Sequence, residues 1–96
     1  MNETLRLQYS NWKQETLPKL EVDTSPTSIN TLNLVINYIK QGIIDFEAGN
    51  TNFANNNFEI AAQKASVLYP EYASKALQAI NIIRNSQCEI KPISQS

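Results

Sequence analysis

Residues 29–53 read INTLNLVINYIKQGIIDFEAGNTNF, and this stretch decides the fold. Within it Leu32, Ile36, Ile39, Ile43, Phe46, Asn50 and Phe53 recur at alternating steps of four and three, and Ile29 opens the row. That period puts all of them on one face of a helix that supercoils gently against a partner. The pattern predicts an all-α protein: a small bundle of three to four helices around one long central helix. By itself the stripe carries no chemistry.

The start of this helix is well marked. Ser25 is a good N-cap and Pro26 suits the first helical position, where its missing N–H costs nothing. Its end can be read in two ways. Ala48-Gly49-Asn50 has the composition of a C-terminal stop, because glycine commonly closes helices in the left-handed conformation. The unbroken row through Phe53 instead favours one helix from about Pro26 to Ala54, weakened at Gly42 and Gly49. Each glycine there costs about 1 kcal/mol relative to alanine.

Toward the N-terminus, Leu5, Tyr9, Trp12 and Thr16 form the inward row of a first helix from about Glu3 to Thr16. Pro18 stops it, since the residue before a proline is pushed out of helical geometry. Residues 17–24 then form an extended linker pinned to the core by Leu17, Leu20 and Val22. Toward the C-terminus, Asn55-Asn56-Asn57 reads as a turn, with Asn56 and Glu59 spaced as a capping box. A third helix follows from about Phe58 to Leu68, with Phe58, Ala61, Ala62, Ala65 and Leu68 inward. Tyr69-Pro70 makes a corner into a fourth helix, whose apolar row is Tyr72, Ala76, Ile80 and Ile83, widened by Leu77 and Ala79. Residues 1–85 thus form one helical domain. Residues 86–96 lack periodicity, contain Pro92, and are expected to be a flexible C-terminal tail.

Ala61, Ala62 and Ala65 oppose Ala73, Ala76 and Ala79, and small residues on facing surfaces let two helices approach closely. In this respect residues 50–83 resemble a tetratricopeptide hairpin, with Asn57-Phe58, Ala65, Pro70 and Tyr72 in the order of that family. Phe58 and Ala65 stand three residues closer together than the family pattern. A solenoid also needs about three repeats to bury a continuous core. The likeness implies a shared packing solution.

Composition narrows the function. The 96 residues allow one modest core, and 42% apolar content with net charge −1 is the profile of a folded chain. Twelve Asn and eleven Ile with no His are what an A/T-rich genome produces, that of a low-GC bacterium or its phage. The eight basic residues are scattered, whereas nucleic-acid binders concentrate them on one face. No run approaches the roughly 20 apolar residues of a membrane span. The first residues lack the layout of a signal peptide. A lone Cys88 forms no internal disulfide and suits a reducing compartment, so the expected location is the cytoplasm.

Without His, the usual general base and metal ligand are missing, and Cys88 has no His to activate it. Asp45 and Glu47 lie on different helix faces, as solvated flanks of the seam. Trp12 and Tyr9 are read as core residues in preference to a binding patch. No catalytic, cofactor-binding or metal-binding residue is expected. Leu34, Tyr38 and Ile44 lie off the heptad face and are the candidate partner-binding residues. The expected function is a small non-catalytic protein–protein interaction module, of accessory-factor, inhibitor, immunity-protein or chaperone type. Its partner would be another protein, or a second copy in a homodimer. The alternative is a nucleic-acid-associated regulator within a larger assembly.

Overall fold

A computed structural model describes residues 3–21 and 30–90, with side chains described from residue 31 to residue 86 in the second segment. These residues form α1 (Glu3–Leu20), α2 (Asn30–Glu47), α3 (Thr51–Ala65) and α4 (Pro70–Ile90). The expected all-α bundle is present. Val22, the Ser25-Pro26 cap and Ile29 lie outside the described residues, as do the Cys88 side chain and residues 91–96 of the expected tail.

The single long helix expected across 26–54 is two helices. The heptad row holds from Leu32 to Ile43, all buried, and Phe46 is half-buried. It then ends at Gly49, whose φ of 89° is left-handed. The Asn50 N–H donates to the Asp45 carbonyl at 2.8 Å and the Gly49 N–H to the Phe46 carbonyl at 3.1 Å. These two bonds make a Schellman close, which satisfies carbonyls a helix end would otherwise leave open. Beyond it Asn50 is exposed and Phe53 is 66% exposed, so neither continues the seam.

The turn expected at Asn55–Asn57 lies within α3. Ala54, Phe58, Ala61 and Ala65 are each 0% exposed, and burying that row outweighs the weak preference of asparagine for turns. Asn56 and Glu59 are both inside the helix and form no capping box. Asn50 occupies the N-cap position of α3, and its side chain makes no capping hydrogen bond. At the other end α3 stops at Ala65, and Leu68, expected inward, is 67% exposed.

Helix α1 runs through Pro18 to Leu20, past the stop expected at Thr16. A proline there removes one backbone bond, but Pro18 and Gln14, whose carbonyl loses its donor, are both on the exposed side. The extra turn buries Leu20 to 2% exposure. It also brings the Lys19 carbonyl to the Tyr72 hydroxyl, which donates to it at 2.8 Å. Leu17 remains 38% exposed instead of pinning a linker. Helix α4 continues to Ile90, beyond the boundary expected at Asn85, and Ser86 is buried.

The helices alternate up and down. The α2–α3 and α3–α4 seams are extensive; α1 packs chiefly on α4 and touches α2 only slightly. On the α3–α4 seam Ala61, Ala65, Ala76 and Ala79 are buried, as their opposition predicts. The closest approach is at Gly42 on α2, where a β-carbon would lie 2.7 Å from two carbons of the Phe58 ring. Gly42, whatever it costs in helix propensity, is therefore the floor on which Phe58 rests. The Phe58 ring also meets Trp12 of α1 in a T-shaped contact, ring centres 5.6 Å apart. Three helices thus converge on one ring.

Candidate interaction surfaces

The three candidate residues on α2 do not gather into one patch. Leu34 is 44% and Ile44 is 59% exposed, whereas Tyr38 is half-buried and packs against the core. Leu34 and Ile44 are ten residues apart, about 15 Å along the axis. Asn37, Lys40 and Gln41 are exposed between them. Among the described residues the most exposed large apolar side chain is elsewhere, in the turn between α3 and α4: Val67 is 84% exposed, beside Leu68 at 67%. Both were expected within or against a third helix, so sequence periodicity hid them. Leu17 and Pro18, at the end of α1, are exposed at the same end of the bundle, where Lys19 reaches Glu71.

The surface on which α1 lies is chemically richer. Trp12 is 4% exposed, confirming its core role, and its indole N–H donates to the Lys75 carbonyl at 2.8 Å. Thr16, one turn on, is fully buried and donates to the Trp12 carbonyl at 2.6 Å. Tyr9 stacks on Trp12 and lies 4.8 Å, centre to centre, from Phe46. Around these apolar groups stand three ion pairs: Lys13 with Glu47, Lys75 with Glu15 at 3.0 Å, and Lys19 with Glu71 at 3.3 Å.

Glu47 is the last residue of α2, a helix with no basic residue in its final turn. A carboxylate at that negative end is unfavourable alone, and Lys13 reaches across from α1 to offset it. The Tyr9 hydroxyl donates to the same carboxylate at 2.7 Å. The hydrogen bonds from Lys13 and then Tyr9 hold the Glu47 carboxyl below its usual range. Burial, and then Glu47, push the Tyr9 hydroxyl up. Burial also raises the Tyr72 hydroxyl. Asp45, two residues before Glu47, turns to Gln41 and Asn57 instead. The two carboxylates do diverge, yet neither is a bare solvated flank.

Between α1 and α4 runs an open groove of about 340 Å³, with Gln8, Asn11, Gln78 and Asn81 on its rim and Trp12 and Ile82 beneath. Among the described residues no three His, Cys, Asp or Glu side chains are placed to hold a metal ion. No described helix is long and apolar enough to cross a membrane. Comparison with family models, with curated proteins and with solved structures found no match.

Proposed function

We propose that this chain is a small, non-catalytic protein-docking module, acting in the cytoplasm by binding another protein. The observation that carries this reading is the α3–α4 turn, where Val67 and Leu68 stand 84% and 67% exposed. Turns are ordinarily polar, and adjacent branched side chains left in water are what a partner's surface would cover. Of the chain's cations, Lys13, Lys19 and Lys75 are each paired with a carboxylate, and the exposed Arg6, Lys40, Lys64 and Arg84 fall one on each helix. A phosphate backbone is bound instead by basic residues concentrated on one face.

The test is a comparative capture from native lysate, using the full chain and a Val67→Ser/Leu68→Ser variant as baits. A protein retained by the first and lost by the second, with both baits melting alike, supports the reading. Identical capture by the two baits would remove this surface from consideration. Retention of nucleic acid in place of protein would favour the regulator reading.

Self-association through the outer face of α2 is a second reading, favoured by the exposure of Leu34 and Ile44. Sedimentation at micromolar concentration giving only the 10.8 kDa monomer would exclude it.

A further inference from the structure

Every ion pair among the described residues has one member on α1. The hydrogen bonds from Tyr9 to Glu47, from Trp12 to the Lys75 carbonyl, and from Tyr72 to the Lys19 carbonyl also tie α1 to the other helices. Helices α2, α3 and α4 meet chiefly through a core of Leu, Ile, Val, Ala and Phe, which Trp12 and Leu20 of α1 enter from one side. Connection lengths differ in the same way. Residues 48–50 and 66–69 join the later helices tightly, whereas residues 21–29 separate α1 from α2.

Helix α1 is therefore held the way a ligand is held. Trp12 fills a desolvated pocket as the one aromatic anchor, Leu5, Thr16 and Leu20 are buried along the same row, and polar contacts ring them. The pocket is built from the other three helices: the Phe58 ring on its Gly42 floor, and the Lys75 carbonyl. Along the cleft between α2 and α4, Glu47, Lys75 and Glu71 present an anion, a cation and an anion. Lys13, Glu15 and Lys19 of α1 answer them with opposite charges.

We propose that the α2–α4 cleft is a helix-docking site which the chain's own α1 occupies as a resident competitor. The partner it fits is an amphipathic helix of another protein with an aromatic N–H or O–H donor as anchor. That helix carries basic residues one and seven positions after the anchor, and an acidic residue three after it. Binding of this kind uses a helix laid in a groove, and the charge pattern of the cleft fixes its direction and register. The proposal rests on the protein-docking reading but uses a different surface from the α3–α4 turn. The tether holds α1 at an effective concentration of order millimolar, so a partner must outcompete it or meet a chain in which α1 is loosened.

The experiment titrates a dye-labelled synthetic peptide of residues 3–21 into the full chain and into the full-length Trp12→Ala variant. The variant should bind on the order of a hundredfold more tightly than the unmodified chain, because its cleft has lost the resident anchor. A peptide carrying Trp12→Ala should not bind, and one carrying Lys13→Glu and Lys19→Glu should bind more weakly at low salt. Equal binding by both chains, or none by a cooperatively melting Trp12→Ala chain, would overturn the proposal. Should that variant fail to fold, the unmodified chain labelled with fluorotryptophan at Trp12 decides. Excess unlabelled peptide, above the millimolar range of the tether, should move the Trp12 fluorine resonance to its solvent-exposed position. An unmoved resonance would refute displacement. Loss of capture by the Val67→Ser/Leu68→Ser bait would stand regardless, so the two claims fail separately.

Discussion

Helix α1 and the α2–α4 unit are built on opposite principles. The later helices meet through an apolar core in which Ala61, Ala65, Ala76 and Ala79 allow close approach and Phe58 rests on Gly42. Helix α1 sends in Leu5, Trp12, Thr16 and Leu20, lays Tyr9 against Phe46, and surrounds these with ion pairs and hydroxyl contacts. Apolar seams are strong but indifferent to exact pairing; a polar rim around one anchor is weaker and far more selective. The first construction suits a scaffold and the second suits a contact that can be exchanged. Because Trp12 is the sole tryptophan, its emission follows α1 docking, while far-ultraviolet dichroism follows all the helices.

Phe58 belongs to both regions, and removing it should produce the largest effect. Phe58→Ala leaves a cavity under Trp12 and over Gly42, and should cost about 3–5 kcal/mol. Emission and dichroism should fall together in denaturant titrations of this variant. A shift of Trp12 emission with an unchanged dichroism midpoint would mean that Phe58 serves only the α1 seat, and the scaffold would have to be held elsewhere.

Gly42→Ala comes next, at about 1–3 kcal/mol of destabilisation from overpacking. The sign makes it informative. Helix propensity alone would reward alanine by about 1 kcal/mol, but a β-carbon 2.7 Å from the Phe58 ring forces that ring to move. Since the ring also supports Trp12, α1 should loosen as well, seen as increased quenching of Trp12 at temperatures where dichroism is still native. Stabilisation would show that the ring shifts freely and that the three-helix convergence is soft.

Gly49→Ala should cost about 1–2 kcal/mol, for a different reason. Nothing lies within 4 Å of the added β-carbon, so the whole effect is the strain of φ 89° on an L-residue. It acts on the α2–α3 connection and should leave the α1 contacts intact, lowering both signals in parallel. Asn50→Ile, beside it, should not stabilise the fold, because Asn50 is exposed beyond the end of the seam. A stabilised Asn50→Ile variant would argue for a continuous helix through Gly49.

The fold was legible where one row of side chains is buried over several turns. The row from Leu32 to Ile43 and the row Ala76, Ile80 and Ile83 are of this kind, and both are buried, whereas Leu77, expected to widen the second, is 51% exposed. Boundaries were less legible, because there local preference competes with burial elsewhere in the molecule. Gly49 won against the heptad because its left-handed close needs no distant partner. Asn55–Asn57 lost against the buried row of α3. Pro18 lost against Leu20 and the Tyr72 hydrogen bond, neither visible from its own neighbourhood. The surface of α1 was the least legible. Lys13, Glu15 and Lys19 find partners 34, 60 and 52 residues away, and no local period records such pairings. Leu34 and Ile44 are exposed, as their place off the heptad face predicts, whereas the long side chain of Tyr38 packs back against the core.

The smallest expected effect is electrostatic, and it tests where α1 is fastened to α2. Glu47 has its carboxyl lowered by the hydrogen bonds from Lys13 and Tyr9. A group that binds its proton less well when folded stabilises the native state fully above its unfolded pKa, about 4.3 for Glu. That contribution fades as pH falls through the lower folded value. Tyr9 has the opposite sign: burial and Glu47 raise its hydroxyl, so its contribution is full below about pH 10 and is lost as pH rises beyond. The fastening should therefore be strongest on a plateau between the two limbs. Its worth is below about 1 kcal/mol, because Lys13 and Glu47 remain 33% and 43% exposed and water screens the pair. Melts followed by Trp12 emission should show Glu47→Gln flattening the acid limb and Tyr9→Phe flattening the alkaline one. An acid limb of unchanged depth in Glu47→Gln would show that Glu47 does not fasten α1 to α2, and would leave the contacts with α4 as the selective end of α1.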